Sequence, residues 1–362
     1  KKDAAAMVRG LAALGVDLKV VTGDNRFVAR SLLHSLGVRQ PRILVGDRIR
    51  KMKEAALVRL APGIHVFAEM EPDHKERVVR ALRRSGAVVG FLGDGINDAP
   101  PMHAADVAIS VDGAVDVARE AADIVLTRHS LDVLAKGIRN GRAVFANTLK
   151  YLRITTSANF GNMFSMAAAA WFLPFLPLLP RQVLLNNFLS DLPALALSTD
   201  SVDDQEVGRP LSWEIHRLGG FMAAFGLASS VFDMLTFVVL YSVLGAGESV
   251  FQTLWFLESL LTEVLVILVL RTSGPAWKSQ PSRLLLLAVG LVAVAGTAIS
   301  VTGFPPYMGF VPSPWPGILS VLAMAALYLL ATEFTKRVWL RRGISETERR
   351  RSTGPVSIEP RM

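Results

Sequence analysis

The chain changes character at Lys150. Before it, short apolar runs alternate with amphipathic stretches; after it, long apolar stretches follow at 152–173, 182–199, 218–244, 251–270, 284–303 and 317–335. Each is near the ~20 residues that an α-helix needs to cross ~30 Å of hydrocarbon. Six in series, joined by short connections, argue against the buried helices of one large soluble core. The first lies too far from the N-terminus to be a secretory signal. Upstream, the pattern predicts helices at 3–14, 25–36, 47–60, 73–85 and 114–121, and strands at 18–22, 64–68, 88–92, 107–110 and 123–126. Such alternation predicts an α/β domain with a parallel, doubly wound sheet. From Leu131 a helix is predicted to run on into the first span. The expected organisation is a soluble domain over 1–130, a stalk helix over 131–150, an all-α six-helix transmembrane domain over 151–340, and a disordered tail over 341–362.

Charge sharpens this division. The chain has 39 Lys+Arg against 31 Asp+Glu, a formal net charge of +8. Residues 1–150 hold 24 of the bases and 17 of the acids, so the basic excess belongs almost wholly to the soluble part. A hydrophobic fraction of 51% excludes a disordered or collagen-like chain. The absence of cysteine excludes disulfides, thiolate metal sites and a cysteine nucleophile. Arg209, Arg217, Arg271, Lys278, Arg283, Lys336, Arg337, Arg341 and Arg342 fall on one side of the spans, and Arg181 on the other. The positive-inside rule therefore puts 1–150 and the tail in the cytoplasm; the membrane expected is a plasma (inner) membrane. The loop at 200–217 is acidic, with Asp200, Asp203, Asp204, Glu206 and Glu214, but acids weigh little in that rule. The basic excess needs no nucleic acid to explain it.

Polar residues interrupt the spans. Asn159 and Asn162 share one helix face, as do Asn187 and Asp191. Pro193 removes a backbone donor just beyond Asp191 and can free nearby carbonyl oxygens. Carboxylate, amide and carbonyl oxygens suit a hard cation such as Mg²⁺ or Ca²⁺, whereas a lone polar group can simply join two helices by a hydrogen bond. Asn186, Asp233 and Glu333 admit that structural reading. Glu258 and Glu263 are five positions apart, about 140° around a helix, so at most one faces a given site.

In the soluble part, chemistry is expected where strands end. Val20-Val21-Thr22-Gly23-Asp24 closes a strand with a hydroxyl and a glycine amide, which can hold a phosphoryl oxygen. Pro72-Asp73-His74-Lys75 opens a helix and places a lysine in its first turn. Gly93-Asp94-Gly95-Ile96-Asn97-Asp98 follows the strand at 88–92 and gathers two carboxylates and an amide, a Mg²⁺ and phosphate arrangement.

Together these motifs resemble the later part of the phosphorylation domain of P-type ATPases, a haloacid-dehalogenase-like fold, and six spans after it match that family's layout. The runs Ser157-Ala158-Asn159-Phe160-Gly161-Asn162, Ser229-Ser230-Val231-Phe232-Asp233 and Trp255-Phe256-Leu257-Glu258-Ser259 resemble the magnesium-translocating branch. The resemblance implies an ATP-driven pump working through an aspartyl phosphate, with ATP as substrate and Mg²⁺ as catalytic cofactor. It implies that Asp94 is the Mg²⁺ ligand, supported by Asp98, and that Thr22, Gly23, Asp24, Lys75, Asn97 and Asp98 form the catalytic set. It further implies that Asn159, Asn187 and Asp191, with Glu258 and Glu263, serve the transported cation. Two departures concern the ion: Glu263 stands where that branch has an uncharged Gln, and Leu192-Pro193 is closer to calcium-type pumps. The Asp-Lys-Thr-Gly stretch bearing the family's nucleophile does not occur in the chain. The expectation is therefore a C-terminal portion, inactive alone, whose partner is the N-terminal remainder of the same pump. The alternatives are a Ca²⁺ or other cation pump, or a non-catalytic membrane subunit.

Overall fold

The computed structural model describes residues 2–35, 38, 40–128, 131–208, 210–211, 213 and 215–353. Arg209, Glu214 and the end of the tail, among the residues weighed above, lie outside that set. The chain divides into two compact units, Lys1–Gly141 and Arg142–Met362.

The first unit contains β1 (Val20–Val21), β2 (Ile43–Val45), β3 (Val66–Ala68), β4 (Gly90–Leu92), β5 (Val107–Val111) and β6 (Ile124–Leu126). Its helices are α1 (Lys2–Ala13), α2 (Arg26–Ser35), α3 (Gly46–Lys51), α4 (Glu54–Leu60), α5 (Pro72–Arg84), α6 (Ala99–Ala104) and α7 (Asp116–Glu120). All strand pairing is parallel, as predicted. The strands form two three-stranded sheets, ordered β1-β3-β2 and β4-β5-β6, where one doubly wound sheet was expected. Val20 pairs with Val66 and Ile43 with the same Val66; Gly90 pairs with Val107 and Ile109 with Ile124. Val21 and Val89 pack against the apolar clusters of both sheets, so the sheets share core without sharing backbone hydrogen bonds.

α5 shows how the sequence builds this unit. Pro72 occupies its first turn, and the Glu71 amide donates to His74 Nδ1 in a capping box. Val78, Val79, Ala81 and Leu82 turn inward, while Arg80 and Arg84 stay outside. Arg77 donates to the carbonyls of Ile49 and Met52 and to Glu54. That satisfies the end of α3 and explains why the single helix expected over 47–60 breaks, with Met52 and Lys53 extended. β2 was not expected, because three apolar residues beside Pro41 carry little strand signal.

The second unit is helical. α8 (Leu131–Ala169) contains the division between the units; α9 (Pro180–Ala196), the short α10 (Asp204–Val207), α11 (Ile215–Phe237), α12 (Glu248–Leu270), α13 (Arg283–Thr302) and α14 (Trp315–Thr353) follow. Helices occur at all six predicted apolar stretches. Among the described residues four stretches, Ile215–Val243, Glu248–Leu270, Arg283–Thr302 and Trp315–Trp339, are long and apolar enough to cross a membrane. α9 has 17 residues, about 25 Å at ~1.5 Å per residue. α8 falls outside the four because Arg153, Asn159 and Asn162 interrupt its apolar run, and α9 because it is too short. α12 is the hub, with 78% of its most apolar window buried against α9, α11, α13 and α14. The tail expected to be disordered continues α14 as helix to Thr353, since the next breaking pair is Gly354-Pro355.

Candidate functional site

The soluble motifs stand where strands end. Thr22 follows β1 and donates through its hydroxyl to Asp24 Oδ2 at 2.9 Å, while the Asp24 amide donates back to Thr22 Oγ1 at 3.1 Å. Lys75 in α5, which follows β3, reaches Asp98 Oδ1 at 2.7 Å. Asp98 Oδ2 accepts from the amides of Asp94 and Gly95, both at 3.2 Å. Both Asp98 oxygens are therefore occupied in fixing the loop and aiming Lys75. A Cβ at Gly93 would come within 2.5 Å of Asp98 Cβ, so glycine is required for this closure. Ser110 Oγ, buried beneath, donates to the Gly93 carbonyl at 3.0 Å. Asp94 and Asn97 are exposed, and among the described residues the Asp94 carboxylate accepts no hydrogen bond and joins no ion pair. Asp94 thus leaves a carboxylate free beside the Asn97 amide, and such oxygen donors fit Mg²⁺.

Glu69, just past β3, was not singled out from the sequence. It has φ 55°, the left-handed region that costs a residue with a Cβ. Its carboxylate accepts two guanidinium hydrogen bonds from Arg26 at 3.0 Å and one from the Arg26 amide at 3.2 Å. Those bonds hold the Glu69 carboxyl below its ordinary range and raise the Arg26 guanidinium. A Cβ on Gly46 would lie 2.3 Å from the Glu69 carbonyl, so the residue that follows β2 and opens α3 must be glycine.

In the helical unit a cavity of about 160 Å³ is lined by Thr155, Asn159, Asn187, Ser190, Asp191 and Glu263, with Ile154, Ala158, Ala194 and Ile267 as apolar walls. Four of the five expected cation residues meet here; the fifth, Glu258, does not line the cavity. Asn162 donates to Glu263 and to Ser259 Oγ at 3.1 Å, and Asn186 also donates to Ser259, at 3.3 Å. The amides thus fix the Glu263 face of α12 against α8 and α9. Pro193 lies inside α9 and offers the Leu189 carbonyl no amide at residue 193. Glu263 is buried, whereas Asn159, Asn187 and Asp191 are exposed, so the cavity is walled on one side only. Thr155 and Ser190 were missed: a hydroxyl on a helix mostly bonds its own preceding turn, as both do here, so sequence gives it no signal.

Close helix contact positions α8. A Cβ at Gly226 of α11 would approach the Phe160 ring to 2.6 Å, and one at Gly161 would approach the Gly226 carbonyl to 3.0 Å. Ser230 Oγ donates to the Gly161 carbonyl at 3.1 Å across the same crossing.

Comparison with known proteins now bears on these sites. Residues 1–106 match the haloacid dehalogenase-like hydrolase family, and residues 175–338 match the family described as cation transporting ATPase, C-terminus. Over 347 residues the chain is 41% identical to the magnesium-transporting ATPase, P-type 1, of Escherichia coli K12. The chain matches the C-terminal region of the P-type ATPases. That match covers 94% of the chain and 39% of the relative. A Salmonella typhimurium protein of the same name is 40% identical over 94% of the chain and 38% of its own length. A calcium-transporting ATPase of Bacillus subtilis is 25% identical over 89% of the chain and 38% of its own length. The chain therefore spans well under half the length of these relatives.

Proposed function

We propose that this chain supplies the phosphate-handling end and the ion path of an ATP-driven pump that works through an aspartyl phosphate, with Mg²⁺ as the transported ion. The cavity between α8, α9 and α12 carries the reading. Mg²⁺ keeps several waters and is held through one or two carboxylates, whereas Ca²⁺ takes six to eight oxygens directly. Asp191 and Glu263 supply two carboxylates, Asn159 and Asn187 two amides, and about 160 Å³ leaves space for waters of ~30 Å³ each. The relatives named for magnesium are also more similar than the one named for calcium. Ca²⁺ is the second reading, favoured by the added carboxylate of Glu263 and by Leu192-Pro193 in α9.

In the soluble unit, Asp94 would hold the catalytic Mg²⁺, whose charge would neutralise the transferring phosphoryl group. Thr22, Gly23, Lys75 and Asn97 would contact the aspartyl phosphate, with Asp24 setting the Thr22 hydroxyl and Asp98 setting Lys75. The nucleophile and the ATP site would come from the N-terminal remainder of the pump. Two observations support that partner. β1 and β4, the two strands that end in phosphate motifs, each leave one edge unpaired. The exposed face of α9 carries Leu184, Phe188 and Leu195 beside the open side of the cavity, where further helices would complete the wall. The reading includes six spans in a plasma (inner) membrane, with residues 1–150 and the C-terminal end in the cytoplasm, and an inactive chain on its own.

The test uses the full-length protein containing this chain. Asp191→Asn should reduce the apparent affinity for Mg²⁺ by more than the ~10–100-fold that loss of an outer-shell partner costs, while phosphorylation by inorganic phosphate persists. Lys75→Ala should do the reverse. An unchanged Mg²⁺ dependence in Asp191→Asn would overturn the ion assignment. Vanadate-sensitive, cation-stimulated ATP hydrolysis by residues 1–362 alone would overturn the need for a partner.

A further inference from the structure

The turn Thr22-Gly23-Asp24 is gripped by the residues that follow β3. The Glu69 amide donates to the Asp24 carbonyl at 2.9 Å, and the Met70 amide donates to the Thr22 carbonyl at 3.1 Å. The carbonyls on either side of Gly23 are thus both fixed from outside the motif. Glu69 returns to the motif a second time through its side chain. Its Oε1 accepts from the amide of Arg26, the first residue of α2, at 3.2 Å and from Arg26 Nε at 3.0 Å. Its Oε2 accepts from Arg26 Nη2, also at 3.0 Å. Between the two grips, Asn25 Oδ1 accepts from the Phe27 amide at 2.9 Å and caps α2.

The backbone at Glu69 sharpens the question of what its side chain does. At φ 55° glycine would sit without the steric cost that a Cβ brings. What glutamate adds over glycine is the carboxylate. That carboxylate joins a partly exposed ion pair, which adds little to stability. A two-pronged guanidinium–carboxylate bond does, however, fix direction as well as distance. It also masks two charges beside the turn. A bare carboxylate there would repel a phosphoryl group, and a bare guanidinium would compete for it; paired, neither does.

We propose that Glu69, clamped by Arg26, is a positioning residue for the phosphate motif. Through the backbone it holds the turn, and through the carboxylate it holds the start of α2. Together these fix where the Thr22 hydroxyl and the Gly23 amide point. Neither Glu69 nor Arg26 touches the phosphoryl group itself. The inference rests on the reading that Thr22 and Gly23 contact the aspartyl phosphate. It does not depend on which ion the cavity takes.

Phosphorylation of the full-length protein by inorganic phosphate, titrated against phosphate concentration, tests it. A displaced motif raises the half-saturating concentration, whereas a damaged fold lowers the level reached at saturation. Glu69→Gln should raise the half-saturating concentration by about tenfold, the low end of what losing an outer-shell partner costs, and keep the saturating level. Glu69→Gly, which suits the backbone but lacks the carboxylate, should do the same. Arg26→Lys keeps the charge and loses the fork, so it should act in the same direction by less. Thr22→Val checks the reading beneath. If it leaves the half-saturating concentration unchanged, the turn does not hold phosphate, and that reading falls together with this proposal. If Thr22→Val raises it while Glu69→Gln and Glu69→Gly do not, the positioning role alone is overturned. A loss confined to the saturating level would also overturn it, by making the pair structural. So would a lower half-saturating concentration in Glu69→Gln, which would make the freed Arg26 a phosphate ligand.

Discussion

Arg26 with Glu69 in the soluble unit and Arg271 with Asp200 in the helical unit are one chemical pair in two settings. Both join a guanidinium to a carboxylate, at 3.0 Å in the first and 2.6 Å in the second. The side chains of the first are 48% and 30% exposed; those of the second are 1% and 0% exposed. At the surface, water competes for both partners, and such pairs contribute about 0–1 kcal/mol. In the interior, each ion has lost its hydration and depends on the other. Asp200 accepts Arg271 and the Ser282 amide at 2.9 Å, and Arg271 also donates to Ser279 at 2.9 Å. The same bond is a local adjustment in one unit and a requirement of the fold in the other. The cavity makes a third case: among the described residues, neither Asp191 nor Glu263 joins a salt bridge.

The comparison can be broken most forcefully at Arg271. Arg271→Ala should destabilise the helical unit by about 3–5 kcal/mol, because Asp200 is left buried and unpaired. Thermal unfolding in detergent, followed by tryptophan fluorescence, reads it. Replacing both partners with apolar residues of similar volume should recover most of that loss; no recovery would mean that the pair does more than neutralise itself.

Helix contact comes next. Gly226→Ala puts a methyl within 2.6 Å of Phe160 and 3.0 Å of the Ser157 carbonyl. The overpacking should cost about 1–3 kcal/mol in the same assay and shift α8. Gly290→Ala, where nothing lies within 4 Å, should cost nothing of this kind.

The smallest effect should be at Glu69. Arg26 lowers its carboxyl pKa in the folded state. The pair's contribution is therefore present above the ordinary glutamate range and is lost as pH falls through the lowered folded value. Protection from hydrogen exchange over residues 22–30, taken relative to the intrinsic rate at each pH, should fall on acidification in the native chain. It should be low at both pH values in Glu69→Gln. Equal acid sensitivity in the two would remove Glu69 as the titrating group.

The placement of the motifs was legible beforehand. Thr22 and Asp94 follow the ends of β1 and β4, and Lys75 lies in the first turn of the helix after β3, because parallel strand–helix alternation puts its loops and helix starts there. Spacing alone does not divide the labour between Asp94 and Asp98, and only the family resemblance gave them separate roles; in the structure Asp98 is held by Lys75 and two loop amides while the Asp94 carboxylate is free among the described residues. Helix periodicity likewise separates Glu258 from Glu263 by angle but names neither as the cavity residue. That choice follows from which side of α12 meets α8 and α9.

The sequence by itself therefore determined the division into a basic α/β unit and a helical unit, the parallel strands, the helices with their polar interruptions and the order of the phosphate motifs. All are local, set by periodicity of two or 3.6 and by glycine and proline. Tertiary structure alone decided the two separate sheets, the break between α3 and α4 at Met52 and Lys53, the burial of Arg271 with Asp200 and the choice of Glu263 over Glu258 to line the cavity. Each depends on residues tens of positions apart meeting where water is excluded, and there the partner across the contact, not the residue's own type, fixes its role.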